Sequence, residues 1–327
     1  MKTRRLGTTE LVISRIGLGS WAFGGGDWDF GWGPSSDEAS VETIRRALSL
    51  GVNWIDTAPI YGLGRAEEVV GRAIRELLQS ERPLVFTKCG LVWTEGGKLR
   101  HRLQRDSIRG EVEASLGRLG LDTIDLYQIH WPTFPPGSPA EHIEEGWETL
   151  VRLRDEGKVR YIGVSNFDIP QLERLLPRGS VASLQPPYSL VHRGLESDML
   201  PYCLEREIGV LTYSPLASGL LSGRMTRERI EALPENDWRK SKSLDFRDPA
   251  LTRHLETARR VVDVAEALGS SAPAVAIGWV LRHAAVTGVI AGARTSGQID
   301  AIVDADDLRL SDAQVSALTA ENGSGAS

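Results

Sequence analysis

Eight short apolar runs recur along the chain, at residues 16–19, 53–55, 84–87, 124–128, 161–164, 183–185, 210–213 and 289–291. Stretches with helical periodicity fall between them, and this alternation limits the fold more than any other feature. Strand–helix repeats build parallel sheets, and eight of them over ~250 residues close into a single (β/α)8 TIM barrel, an α/β fold. The intervening segments carry helix punctuation. "SSDEASVETIRRALSLG" has Ser35 and Glu38 spaced as a capping box and Gly51 as its stop. "DSIRGEVEASLGRLG" is opened by Asp106, and "HIEEGWETLVRLRDEG" is stopped by Gly157. "DIPQLERLL" has Asp168 as N-cap and Pro170 in its first turn. No linker separates these units, so one barrel is expected over residues 1–320, with a disordered tail at 321–327. "TRRLGTTELVIS" (3–14) reads as an N-terminal β-hairpin turning near Gly7 to Glu10 and plugging the barrel base.

A doubly wound nucleotide-binding sheet is the competing α/β architecture. "GLGSW" (17–21) and "GLGR" (62–65) lack the third glycine and the acidic residue ~20 positions on that such a sheet requires. Both are expected to be turns, with Gly64 capping "RAEEVVGRAIREL".

Composition removes whole classes of function. The 327 residues carry a formal net charge of −6, which offers no basic surface to nucleic acid or to an anionic membrane. No apolar run reaches the ~18 residues of a membrane span, and the polar start "MKTRRLGTTE" has no signal-like core. Two cysteines, Cys89 and Cys203, make neither a disulfide framework nor a metal cluster. The six histidines show no paired ligand spacing, which disfavours a metal hydrolase. A cytoplasmic protein without a metal is expected.

In a barrel the residues past the C-terminal ends of the strands share one face, where active sites form. Read in order, those positions give Asp56 and Tyr61, then Lys88, then His130. Each alone has an ordinary structural explanation: a strand-end cap, a surface phenol, a strand-end lysine, a core imidazole. Together they describe a proton-transfer device. A Lys–Asp pair beside a phenol is expected to lower the phenol's pKa from ~10, and an imidazole to orient a substrate oxygen against it.

With these four residues in place the sequence resembles the aldo-keto reductases. The family's Asp, Tyr, Lys and His match Asp56 and Tyr61 in "NWIDTAPIYG", Lys88 in "FTKCG" and His130 in "LYQIHWP". The match continues through "IGVSNF" (162–167), "LQPPYSL" (184–190) and "LTYSPLASGLLSGRM" (211–225), covering residues 3 to 320. "YQIHWP", "QPPY" and "GVIAGARTSGQ" look closest to the bacterial branch that includes the inositol-operon and general-stress reductases.

The resemblance implies a nicotinamide cofactor. Ser165, Asn166 and Gln185 match the residues holding the carboxamide, whose donors and acceptors their groups complement. Tyr213 matches the ring stacked on the nicotinamide. Ser214, Pro215, Leu216, Ser218 and Leu221 match the pyrophosphate loop, with Arg224 as a charge partner. Gly19, Ser20, Trp21 and Asp56 join the cofactor site from the first two barrel strands. Gly292, Ala293, Arg294, Thr295 and Gln298 precede or open a helix capped near Ser296, a ready anion site. Arg294 is expected to fork onto an adenosine 2′-phosphate, favouring NADPH, with NADH bound more weakly. Ala301 and Ile302 replace the acidic residue and asparagine that hold adenine in many relatives, and Asp300 is the candidate substitute.

Six of nine tryptophans, Trp21, Trp28, Trp32, Trp93, Trp131 and Trp238, are expected on the catalytic face, while Trp54, Trp147 and Trp279 pack the interior. Trp21, Trp93 and Trp131 are the expected substrate contacts, implying an aromatic or bulky carbonyl substrate. The glycine-rich "FGGGDWDFGWGP" (23–34) is long enough to act as a lid. The expected activity is NADPH-dependent reduction of aldehydes or ketones with Tyr61 as the acid. The rivals are a cofactor-binding subunit resembling the potassium-channel β subunits and a lyase forming a Schiff base on Lys88.

Overall fold

A computed structural model describes residues 1–26, 28–235 and 237–320; the tail expected at 321–327 lies outside the described residues. Eight parallel strands close into a barrel. The chain opens with a hairpin, β1 (Thr3–Arg5) and β2 (Val12–Ser14), which pair antiparallel. The barrel strands follow: β3 (Ile16–Gly19), β4 (Trp54–Asp56), β5 (Leu84–Cys89), β8 (Ile124–Ile129), β9 (Val159–Ser165), β10 (Ser183–Gln185), β11 (Gly209–Thr212) and β12 (Val286–Gly292). They pair in chain order, and β12 returns to β3 to close the ring. A small hairpin, β6 (Leu91–Trp93) with β7 (Leu99–His101), is inserted after β5.

Helices α1 (Asp37–Ser49), α2 (Arg65–Arg75), α3 (Arg105–Leu119), α4 (Ile143–Asp155), α5 (Ile169–Leu175) and α6 (Met199–Glu205) fill the connections from β3 to β11. Between β11 and β12 run α7 (Arg227–Glu231), α8 (Trp238–Ser241), α9 (Ala250–Leu268) and α10 (Ala272–Leu281). α11 (Ser296–Val303) and α12 (Asp312–Thr319) complete the described chain. Among the described residues no single helix is long and apolar enough to cross a membrane.

The expected strands are all present, but several run on by one or two residues, so Asp56 and Lys88 lie inside β4 and β5 rather than beyond them. Two caps shift. α1 is capped by Ser36, whose side chain accepts from the Ala39 N–H, while Ser35 donates to the Phe23 carbonyl. α3 begins at Arg105 after Gln104, which puts Asp106 in its first turn. Asp168 caps α5 as expected, in a reciprocal box with Gln171.

The hairpin plugs the base. Leu6, Leu11 and Ile13 pack with Trp54, Phe86, Leu126 and Leu211 in one buried cluster inside the barrel. Trp54 fills the barrel floor so closely that a Cβ on Gly17 would lie 2.1 Å from its ring, which explains the glycine. Trp147 and Trp279 are also fully buried, as expected of packing residues. With the base sealed by side chains, the only ends of the strands open to chemistry are the C-terminal ones.

Candidate active site

The C-terminal rim opens into a cavity of about 1200 Å³. At its floor, β4 ends in Asp56 and β5 brings Lys88 alongside, in register next to β8. Strand alternation turns both side chains inward with Trp54 and Phe86 one layer below. Lys88 is fully buried and its Nζ lies 2.6 Å from Asp56 Oδ2, 2.9 Å from the Thr57 carbonyl and 3.5 Å from Tyr61 Oη. Tyr61 sits in the turn after β4. That turn presses on the 3₁₀ turn at Trp21–Gly24: Gly62 has φ +65°, and a Cβ there would lie 2.2 Å from the Gly24 carbonyl oxygen. His130 follows β8, its N–H donating to the Cys89 carbonyl at 3.0 Å, and its ring meets the Tyr61 ring edge-on at 5.8 Å. The four residues picked from the sequence converge on one point.

Burial sets the protonation states. It disfavours both members of the Lys88–Asp56 pair, pushing the carboxyl up and the ammonium down, and their contact opposes each shift. Burial, reinforced by Lys88, holds His130 well below the usual imidazole range, so the ring is neutral at pH 7. Tyr61 corrects an expectation. Its phenol is pushed well up by burial and by the Asp56 charge rather than lowered. Burial is the larger cause, and the Lys88 ammonium does not reverse it, being 2.6 Å from Asp56 and 3.5 Å from the phenol. The phenol rests fully protonated, in the state an acid needs.

The rim groups suit a nicotinamide cofactor. Gly19, Ser20 and Trp21 line the cavity from the end of β3, and the Ser20 Oγ is buried without a hydrogen-bond partner. Ser165, Asn166, Gln185 and Tyr213 meet in a network. The Asn166 Nδ2 donates to the His130 carbonyl and to Ser165 Oγ, both at 3.0 Å, and Tyr213 Oη donates to Asn166 Oδ1 at 2.8 Å. Beyond Tyr213 the backbone leaves regular structure. Ser214, Ala217, Ser218 and Gly219 all have positive φ, and the Ala217 and Gly219 N–H groups close tight turns onto the Ser214 and Leu216 carbonyls. Ser214, Pro215, Leu216, Ser218 and Arg224 line the cavity there; Leu221 does not, being fully buried in the hydrophobic core.

Gly292, Ala293, Arg294, Thr295 and Gln298 line the far end, where Thr295 rather than Ser296 precedes the first turn of α11. Arg294 already has partners. Its Nη1 and Nη2 donate to the Trp32 and Pro34 carbonyls at 3.3 and 2.6 Å, tying the glycine-rich loop to the segment after β12. Asp300 corrects another expectation: it faces away from the cavity and accepts two bonds from Arg46 on α1, so it does not replace the missing adenine contact. Arg229 and Arg239, which no motif singled out, also line the cavity, from the β11–β12 connection. Arg239 pairs with buried Asp237 at 2.6 Å and lies over the Trp32 ring at 4.8 Å.

The opposite end is aromatic. Trp21 stacks on Tyr61 at 6.0 Å and 15°, and Trp28, Phe30, Trp131 and Phe134 continue the wall. Trp238 stacks behind Trp21 at 5.4 Å and touches Trp32 at 6.0 Å. Trp93 departs from expectation. It lies on the inserted β6–β7 hairpin, packed against the Ala58–Ile60–Leu91 cluster, and is not among the cavity-lining residues.

The model of the aldo/keto reductase family matches residues 15–322. The chain belongs to the aldo/keto reductase family. It is 39% identical over 303 residues to the aldo-keto reductase YhdN of Bacillus subtilis (strain 168), covering 92% of this chain and 88% of that one. It is 35% identical over 325 residues to the NADH-specific methylglyoxal reductase of Escherichia coli (strain K12), covering 96% of each. Among solved structures, the glycerol dehydrogenase AKR11B4 from Gluconobacter oxydans superposes with a TM-score of 0.84 at 38% identity, over 97% of this chain and 93% of that one. This aldo/keto reductase is therefore an oxidoreductase acting on carbonyl groups, in a family that uses nicotinamide cofactors.

Proposed function

We propose that this reductase converts aromatic or otherwise bulky aldehydes and ketones to alcohols with NADPH, accepting NADH at lower affinity. The observation that carries the reading is the convergence of Asp56, Tyr61, Lys88 and His130 where the aromatic wall meets the cavity's polar end. The bound nicotinamide supplies a hydride to the carbonyl carbon. The protein supplies the proton and the orientation. Tyr61 Oη donates a proton to the carbonyl oxygen as negative charge develops there, and Lys88, 3.5 Å away, stabilises the phenolate left behind. Asp56 keeps Lys88 charged. His130, neutral, directs a ring nitrogen at the same oxygen and fixes its approach. Ser165, Asn166 and Gln185 would hold the carboxamide, Tyr213 the nicotinamide face, and the 214–224 segment the pyrophosphate. Two unpaired, buried cysteines suit a reducing, cytoplasmic setting.

The presence of Arg224, Arg229, Arg239 and Arg294 among the cavity-lining residues supports the choice of a 2′-phosphorylated cofactor. The tie from Arg294 to the loop uses two of its five N–H donors, so the guanidinium keeps donors for a phosphate. Arg294→Ala is expected to weaken NADPH by ~2 kcal/mol, about thirtyfold, while NADH changes little. Fluorescence titration of both cofactors is the check, and equal losses would reject the assignment.

The aromatic end supports the substrate class. None of Trp21, Trp28, Phe30, Trp131 and Phe134 carries a charge, and together they give the cavity an apolar wall beside Tyr61. Trp131→Ala should raise KM for aryl aldehydes several-fold, because an aromatic contact contributes ~1 kcal/mol beyond area. Small aliphatic aldehydes should be nearly unaffected. Steady-state kinetics across a size series distinguishes this from a packing role, which would affect all substrates alike.

A further inference from the structure

Asp56 is held by two donors. Its Oδ2 accepts from Lys88 at 2.6 Å, and its Oδ1 accepts from Gln185 Nε2 at 2.8 Å. The second bond spans the barrel, since β10 and β4 are not neighbours in the ring. Gln185 is itself fixed: it is 2% exposed, and its main-chain carbonyl accepts from Ser165 Oγ at 2.8 Å and the Asn166 N–H at 3.2 Å. An ionised carboxylate only accepts hydrogen bonds. The Gln185 side chain must therefore turn its NH₂ to Asp56, which fixes the direction of its carbonyl.

We propose that Gln185 is a positioning residue of the proton-transfer group, holding the second oxygen of Asp56 so that Lys88 stays aimed at Tyr61. Without that donor, Oδ1 is buried and bare. The ammonium then moves to straddle both carboxylate oxygens, and its 3.5 Å contact with the phenol lengthens. Gln185 thereby joins the carboxamide site to the acid, and cofactor and proton donor share one side chain. This inference rests on the reductase reading of the site.

Two variants test it. Gln185→Met keeps length and removes the donor. Gln185→Glu places a second carboxyl against Asp56, and two carboxyls in contact share a proton. The protonated glutamate donates as the amide did, and the ionised one repels. The titratable groups around this point are Asp56 and Lys88, Tyr61 in the turn after β4, His130 after β8, Tyr213 after β11 and, behind β5, Glu67.

At saturating NADPH, single-turnover reduction of 4-nitrobenzaldehyde should fall about tenfold or more in Gln185→Met at every pH. Gln185→Glu should be as slow at pH 8 and recover towards the wild-type rate by about pH 5.5. A second readout needs no catalysis. The shared proton holds the folded glutamate's pKa above its unfolded value, so that stability is present at low pH and lost as pH rises. The cofactor-free Gln185→Glu protein should accordingly gain melting temperature relative to wild type as pH falls from 8 to 5. A Gln185→Met protein that loses only NADPH affinity overturns the proposal. So does a Gln185→Glu rate profile parallel to wild type or low throughout, or a melting difference that ignores pH. If the wild-type protein reduces no aldehyde with either cofactor, the reductase reading fails, and the melting series still decides the Asp56–Gln185 link.

Discussion

Replacing Tyr61 with phenylalanine is expected to slow carbonyl reduction by ~10²–10⁴-fold, the range that a positioned acid contributes. The phenol is the only side-chain proton donor that also contacts Lys88 and faces His130 among the described residues of the site. Its raised pKa sharpens the expectation. A buried phenol that stays protonated gives up its proton only when the carbonyl oxygen gains charge and Lys88 can compensate, so the proton and the Lys88 contact act together. Phenylalanine keeps the stack on Trp21 and removes only the hydroxyl. Cofactor affinity should therefore remain near wild type. Stopped-flow measurement of reduction beside a parallel NADPH titration separates the two quantities. Near-wild-type turnover of an unactivated aldehyde would rule out Tyr61 as the acid.

Lys88→Met is expected to damage both catalysis and folding. The side chain is fully buried, and its loss strands Asp56, which is almost as deeply buried, with only the Gln185 bond. Breaking a buried pair on one side costs about 3–5 kcal/mol. The sign of the pH dependence follows from burial, which already pushes the Asp56 carboxyl up. Without Lys88 its folded pKa rises further above the unfolded value, so the folded variant takes up a proton more readily than the unfolded chain. The stability deficit should then be largest near pH 8 and shrink towards pH 5. Urea unfolding at the two pH values checks this. An equal deficit at both would mean that lost packing, rather than a stranded charge, dominates.

Much of this site was legible in the sequence because strand periodicity fixes which side chains face inward. Asp56 and Lys88 follow Trp54 and Phe86 by two residues, so once those aromatics are in the barrel floor the charged pair must be in the layer above. Gly64, with φ +106°, and Asp168 were legible for a related reason, since each is chemically suited to the backbone state it adopts. What was missed depends on contacts between segments distant in the chain. Leu221 was assigned to the cofactor loop, but the positive φ values at residues 214–219 break any period and turn it into the core. Trp93 was turned aside by the β6–β7 hairpin. Asp300 found Arg46 on a neighbouring helix. Arg239 reaches the cavity from a long connection whose course no local pattern encodes. The direction of the Tyr61 shift was missed because it comes chiefly from burial, with the Asp56 charge adding to it, and no local pattern encodes how deeply the folded chain buries the phenol.

The loop from Trp21 to Pro34 is tied to the rest of the rim through main-chain oxygens: Arg294 takes the carbonyls of Trp32 and Pro34, and Lys242 that of Asp29. Every residue type has that carbonyl, so these three bonds do not depend on which side chains the loop carries, while Trp32 and Phe30 add ring contacts with Arg239 and Lys242. Trp28, whose ring meets Phe30 and Tyr61 but neither of the two cations, can be exchanged with all three carbonyl bonds left in place. The shape of the wall and the tether of the loop are thus separable, one made by exchangeable rings and the other by oxygens that every sequence carries.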